Sequence, residues 1–212
     1  MDLDYLIGRP DRVLELTLEH IQLCLTAVAI ALVIAIPLGA IATRFTGLTL
    51  PMVSVLGVLY TVPSLAFLAF LIPVLGIGVV PAVIVLAAYA QIFLVRNIVA
   101  GLRGVEPSTL EAARGLGLGS WQVFRQVRWP LALPVIIAGV RTAFVTTISL
   151  ATVAAWIDAG GLGQLLFEGI TRNDPDRILA GTIAITALAL LADALLRFAE
   201  RSTAIARARR EA

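Results

Sequence analysis

The chain has 212 residues, 59% of them hydrophobic and 14% charged, with a formal net charge of +2. A water-soluble domain carries about 25% charged residues, so there is too little polar surface here to cover a globule in water. All sixteen basic residues are arginines; a P-loop ATPase needs a lysine on the nucleotide phosphates, so this chain does not hydrolyse ATP by that route, and any ATP that drives it binds to a partner.

The first segment, residues 1–19, opens on Met1-Asp2-Leu3-Asp4 and lacks the basic region of a signal peptide. The apolar run that follows is therefore predicted to stay in the mature protein as a span. Five runs reach the ~20 apolar residues that cross a bilayer, at 20–43, 52–72, 79–99, 131–155 and 178–199. Lipid offers backbone groups no partners, and the runs are too continuous for barrel strands, so each is predicted to be helical. The expected fold class is an all-α integral membrane protein, with a membrane-spanning domain over 20–199 and an arginine-rich tail over 200–212.

His20 stands at the mouth of the first run and is expected at the membrane interface; Cys24 lies within that run and has no partner for a disulfide. Neither points to a metal site, and no set of residues suggests catalysis or nucleic-acid binding. Pro37 and Pro63 are expected to kink the first and second spans and to free backbone carbonyls there.

Arginine bias sets the expected direction. Arg44, Arg103, Arg114, Arg125, Arg128, Arg201, Arg207, Arg209 and Arg210 fall on one side, and only Arg9, Arg12, Arg172 and Arg177 on the other. The positive-inside rule puts the richer side in the cytoplasm, with the N-terminus outside and the C-terminus inside.

The loop 104–130 on the richer side is the most informative stretch. Ser108 and Glu111 have the S-x-x-E spacing of a capping box, which predicts a short helix from about Thr109. Gly115, Gly117 and Gly119 favour its termination through a left-handed turn. Ser120 can cap a second short helix running to Arg128, and Pro130 and Pro134 are expected to stop it and restart the chain into the fourth span.

Glu111-Ala112-Ala113, three residues, Gly117, nine residues, Val127 and, three further on, Pro130 resemble the EAA motif of binding-protein-dependent ABC importer permeases, with Val127 and Trp129 in place of its isoleucine and leucine. Tyr60-Thr-Val-Pro-Ser-Leu-Ala, Phe70-Leu-Ile-Pro-Val-Leu-Gly-Ile-Gly78, Val95-Arg-Asn97, Pro130-Leu-Ala-Leu-Pro134, Gly139-Val-Arg-Thr-Ala143 and Ala159-Gly-Gly-Leu-Gly163 look like the osmoprotectant branch, whose members import glycine betaine, choline or carnitine. Methionine importer permeases share the five-span core and remain a neighbouring possibility; a stand-alone secondary transporter is the reading of a different class, and a membrane scaffold a third.

The resemblance implies a five-span type I importer permease core in a bacterial inner membrane, carrying no cofactor. It implies a cytoplasmic ATPase dimer that binds ATP and Mg, a second permease chain, identical or paralogous, and an external substrate-binding protein. It also implies that Glu111, Ala112, Ala113 and Gly117 form the coupling helix that meets the ATPase. Local physics offers plainer roles, with Glu111 as a cap and Gly117 as a helix terminus.

Arg141 and Asp193 lie inside spans, where a charge is costly. They are candidates for an intramembrane ion pair or a pathway site, and Arg96 for snorkelling or contact with the coupling region. Asp158-Ala-Gly-Gly-Leu-Gly163 is either a flexible turn or, by the resemblance, a packed segment near the pore mouth. The acidic residues of the outer regions are expected to remain solvated. Tyr60 and Tyr89 are not visibly grouped, so no aromatic cage for a quaternary amine is apparent, which suits recognition by a separate binding protein.

Overall fold

A computed structural model of the chain describes Tyr5 and residues 8–202, and these fold into helices without strands. Met1-Asp2-Leu3-Asp4 and the distal tail arginines Arg207, Arg209 and Arg210 lie outside the described residues.

The first helix, α1 (Pro10–Arg44), has 35 residues, about 52 Å at 1.5 Å per residue. That exceeds the ~30 Å hydrocarbon layer, so α1 begins well before the apolar run does. Pro10 sits at its start, where a missing N–H costs nothing, and Asp11 complements the dipole of its first turn. One face is buried and dominated by small side chains, among them Ala27, Ala31, Ala35, Gly39 and Ala42. This lets the backbone approach α4 (Val79–Arg103), the central helix, which is buried on most sides. A Cβ on Gly39 would overlap the Ile98 side chain, so glycine is required for that contact.

The second run is one broken span rather than a single helix. It comprises α2 (Thr46–Thr61) and α3 (Ser64–Leu75), joined at Val62-Pro63 with an 89° bend. Pro63 has no N–H to continue the ladder, and it forces Val62 into an extended conformation (φ −64°, ψ 129°). None of the residues of α2 is buried.

Beyond α4 comes α5 (Pro107–Gly115). Ser108 does not cap it. Pro107 takes the first helical position and Glu106 the cap position, and the Ser108 hydroxyl bonds back to Glu106 Oε2 at 3.2 Å. The expected capping box with Glu111 is therefore absent, because proline's fixed φ sets where the helix starts.

The second short helix is likewise not separate from the fourth span. The turn α6 (Ser120–Gln122), a π turn (Val123–Arg128) and α7 (Trp129–Ala154) run on as one helical stretch. The N–H of Trp129 bonds to the Phe124 carbonyl five residues back. This wider turn immediately precedes Pro130, which then falls in the first turn of α7, where it is tolerated.

On the far side of α4, α7 packs closely. A Cβ on Gly101 would sit 2.9 Å from the Ala132 carbonyl oxygen, and one on Gly139 would collide with Asn97. A 3₁₀ turn (Ala155–Ile157), α8 (Gly163–Arg172) and α9 (Pro175–Ser202) complete the bundle, with α9 packed on α7 and α8. Asp174 accepts bonds from the N–H groups of Asp176 and Arg177, capping the start of α9. Four helices are long and apolar enough to cross a membrane, and counting the bent pair as one span gives five.

Candidate functional site

The loop at the arginine-rich end is built on a Schellman motif. Gly117 has φ +85°, its N–H bonds the Arg114 carbonyl at 2.9 Å, and the Leu118 N–H bonds the Ala113 carbonyl at 3.3 Å. Gly117 supplies the left-handed residue that closes α5, while Gly115 ends the helix and Gly119 (φ −67°) precedes α6. Gln122 Oε1 accepts the Gly119 N–H at 2.8 Å, the acceptor that the open N-terminus of α6 needs.

Of the four motif residues, Ala113 alone is buried, and it fixes α5 against the bundle. Glu111, Ala112 and Gly117 face outward. Next to them stand two largely exposed apolar side chains, Leu116 at 84% exposure and Trp121, stacked on Phe124, at 69%. Leu116 carries a functional signal that the sequence reading passed over: an apolar residue held between two glycines in a polar loop.

The loop is tied to the spans behind it. Arg128 Nε bonds the Leu102 carbonyl at 2.8 Å, and Arg103 Nη2 bonds the Ala42 carbonyl at 3.0 Å and Thr49 Oγ1 at 2.5 Å. A cavity of about 620 Å³ lies between loop and helix ends, lined by Arg44, Arg114 and Arg128 and by no carboxylate. Its positive field suits an anionic surface opposite. Arg96 is exposed on α4.

Arg141 and Asp193 do meet. Nη1 of Arg141 is 3.0 Å from Oδ1 of Asp193, so the pair joins α7 to α9. Glu200 stands 3.4 Å from Arg141 Nε, and Arg197 2.7 Å from the other Asp193 oxygen.

At the other end, the segment after Asp158 is packed. Asp158, Gly160 and Gly161 all take positive φ. The Gly161 N–H bonds Glu19 Oε2 at 2.9 Å, and a Cβ on Gly161 would strike the His20 ring. His20 is itself fully buried, with Nε2 3.0 Å from the Ile148 carbonyl, so it wedges α1 against α7. A cavity of about 400 Å³ opens here, with Glu19, Gln22, Thr26, Asp158 and Gln164 among its lining.

Tyr60 and Tyr89 prove to be neighbours, against the sequence reading. Their ring centroids are 5.6 Å apart, Phe93 is 5.2 Å from Tyr60, and Phe67 is 5.9 Å from Tyr89. The Tyr89 hydroxyl donates to the Val62 carbonyl at the break in the second span.

Residues 35–205 match the family described as binding-protein-dependent transport system inner membrane component. The chain is 39% identical over 86% of its length, and 84% of the relative's, to the glycine betaine/carnitine/choline transport system permease protein OpuCB of Bacillus subtilis (strain 168). It is 39% identical to the osmoprotectant import permease protein OsmW of Salmonella typhimurium (strain LT2), covering 91% of this chain and 92% of that one. In three dimensions it resembles a chain of the inward-facing MetNI methionine ABC transporter, with a TM-score of 0.71, 21% identity, and 87% and 94% of the two chains covered.

Proposed function

Because this chain belongs to the family of binding-protein-dependent transport system inner membrane components, and is thus a multi-pass permease subunit of an ABC importer, we propose that it carries quaternary-amine osmoprotectants such as glycine betaine, choline or carnitine. The observation that carries the substrate reading is the 39% identity, over most of both chains, to a permease named for those three solutes. The likeness to the methionine transporter, at 21% identity, speaks for the fold alone.

The chain works as one of a pair. A single bundle has too few helices to enclose a pathway with two gates, and α2 buries none of its residues, which leaves a face for a second permease. Two cytoplasmic ATPases bind ATP and Mg, and an external protein delivers the solute. The arginine-rich end faces the cytoplasm, in line with the positive-inside rule.

Coupling runs through α5 and the Gly117 turn. The exposed tip formed by Glu111, Ala112, Leu116 and Trp121 meets the ATPase, and an apolar patch of this kind outside the bilayer suits a protein contact. From Ser120 the chain enters α7 without a break, so a displacement of the tip passes along one continuous helical stretch to the Arg141–Asp193 bridge and on to α9. ATP binding closes the ATPases, draws the two tips together and opens the pathway outward.

The test is reconstitution of the permease with its ATPase and binding protein in vesicles. ATP-dependent accumulation of glycine betaine, choline or carnitine is expected, with none driven by an ion gradient alone. Uptake of methionine and no quaternary amine overturns the substrate reading. Gradient-driven uptake by the permease without an ATPase overturns the coupling.

A further inference from the structure

We propose that the break between α2 and α3, with the Tyr60 ring beside it, is the place in the pathway where the quaternary ammonium group rests during translocation. The inference rests on the substrate reading above and adds the residues that touch the solute.

Depth comes first. The break is held by Tyr89, ten residues inside α4, which is about 15 Å along the helix axis. It therefore lies well within the apolar belt. Across the break no backbone N–H reaches the carbonyls of Tyr60 or Thr61, while Thr61, Val62 and Pro63 are all exposed on this chain. Non-helical backbone at membrane depth does not face lipid; it is tolerated only inside protein or along a water-filled cavity. A stretch this open on its own bundle is therefore covered only in the assembled pair, and its unpaired carbonyls suit the aqueous path that two permeases enclose.

The chemistry of the place fits one class of solute. A quaternary ammonium has no N–H to donate, so it is held by diffuse negative charge, supplied by aromatic faces and carbonyl oxygens. Tyr60 is 39% exposed, whereas Tyr89 behind it is 3% exposed. With Phe93 it makes a rigid aromatic backing that leaves Tyr60 the accessible ring. The C-terminal carbonyls of α2 add the negative end of a helix dipole at the same point. No residue from Tyr60 through Ser64 is a carboxylate, an arginine or a histidine. The hold is accordingly weak, as a transit site requires, since a solute that binds tightly midway does not leave. The N–H groups that open α3 stand across the break and suit the carboxylate or hydroxyl at the solute's other end.

The experiment uses the assembled transporter in lipid nanodiscs carrying Thr61→Cys, with Ser64→Cys as a second position should the first fail to assemble. The chain's own Cys24 is buried. A membrane-impermeant maleimide is expected to label the new thiol in at least one of two states, nucleotide-free or with ATP and vanadate. Millimolar choline should slow labelling about threefold, the scale of a weak cation–π contact. Tyr60→Phe should keep that protection and Tyr60→Leu remove it. No labelling at either position in either state overturns the proposal, as does labelling that choline slows equally in Tyr60→Leu or not at all. Choline, glycine betaine and carnitine uptake by the unmutated transporter is measured after reconstituting the same purified complex into sealed vesicles. Its absence overturns the substrate reading and the cation site with it, whereas uptake without Tyr60-dependent protection overturns the cation site alone.

Discussion

Arg141 on α7 and Asp193 on α9 form a 3.0 Å ion pair between two spans, and the second oxygen of Asp193 is held by Arg197 at 2.7 Å. With Glu200 at 3.4 Å from Arg141, two cations and two anions balance one another where a lone charge is costly. Removing one member leaves a charge uncompensated, and removing an opposite pair does not. We therefore expect Arg141→Leu to lower the unfolding temperature of the permease in detergent, and Arg141→Leu with Asp193→Leu to recover most of the loss. A single variant as stable as the unmutated protein means that the bridge carries no structural role.

Helix contacts that depend on missing side chains should be equally legible by mutation. A methyl group on Gly139 would collide with Asn97, so Gly139→Ala is expected to cost about 1–3 kcal/mol. Gly57, on the open face of α2, has nothing within 4 Å of an added Cβ. Gly57→Ala should be neutral or stabilise by about 0.5–1 kcal/mol, because alanine suits a helix better. Thermal unfolding of the two variants side by side checks the packing order around α4.

The Tyr89 hydroxyl holds the broken span by donating to the Val62 carbonyl. Tyr89→Phe keeps the ring packing and loses that bond, at a cost of about 0.5–1.5 kcal/mol. The variant should assemble and show a lower unfolding temperature than the unmutated chain. Unchanged stability would mean that water replaces the hydroxyl without loss.

Leu116 and Trp121 are exposed at the tip of the loop proposed to meet the ATPase. Tryptophan is enriched among residues that dominate interfaces, so Trp121→Ala should weaken ATPase binding about tenfold or more. Leu116→Asp should do so as well, while both variants still reach the membrane. Binding of purified ATPase to permease in nanodiscs gives the measurement, and an unchanged affinity in both would place the contact elsewhere.

Much of this fold can be read from the chain itself, for reasons that differ by element. Hydropathy is a sum over some twenty residues, so the unbroken spans α1, α4, α7 and α9 survive any local irregularity. Gly117 is legible because a left-handed turn has few alternatives to glycine. Local signals in competition are harder. Ser108 and Glu111 have the spacing of a capping box, yet Pro107 starts the helix two residues sooner. Pro130 reads as a stop, yet the π turn before it absorbs the missing bond. Pro63 announces a kink, but the size of the bend, 89°, has no signature in the residues around it. The grouping of Tyr60 with Tyr89, 29 positions apart, and the burial of His20 against Ile148 are tertiary facts with no local signature.

The central claim is that the Gly117 turn couples this permease to its ATPase, and substituting that residue tests it most directly. An added Cβ at Gly117 meets nothing within 4 Å, so what a side chain costs on this chain is the positive φ alone. Asparagine accepts that conformation and a β-branched residue does not, at a penalty of about 1 kcal/mol or more. The measurement is substrate-stimulated ATP hydrolysis by the reconstituted transporter, beside co-purification of the ATPase. Gly117→Val should reach the membrane at near-normal levels, recruit the ATPase poorly and lose stimulation, with Gly117→Asn retaining more of both. Gly117→Val with recruitment and stimulation at unmutated levels would contradict the assignment of this loop as the coupling element.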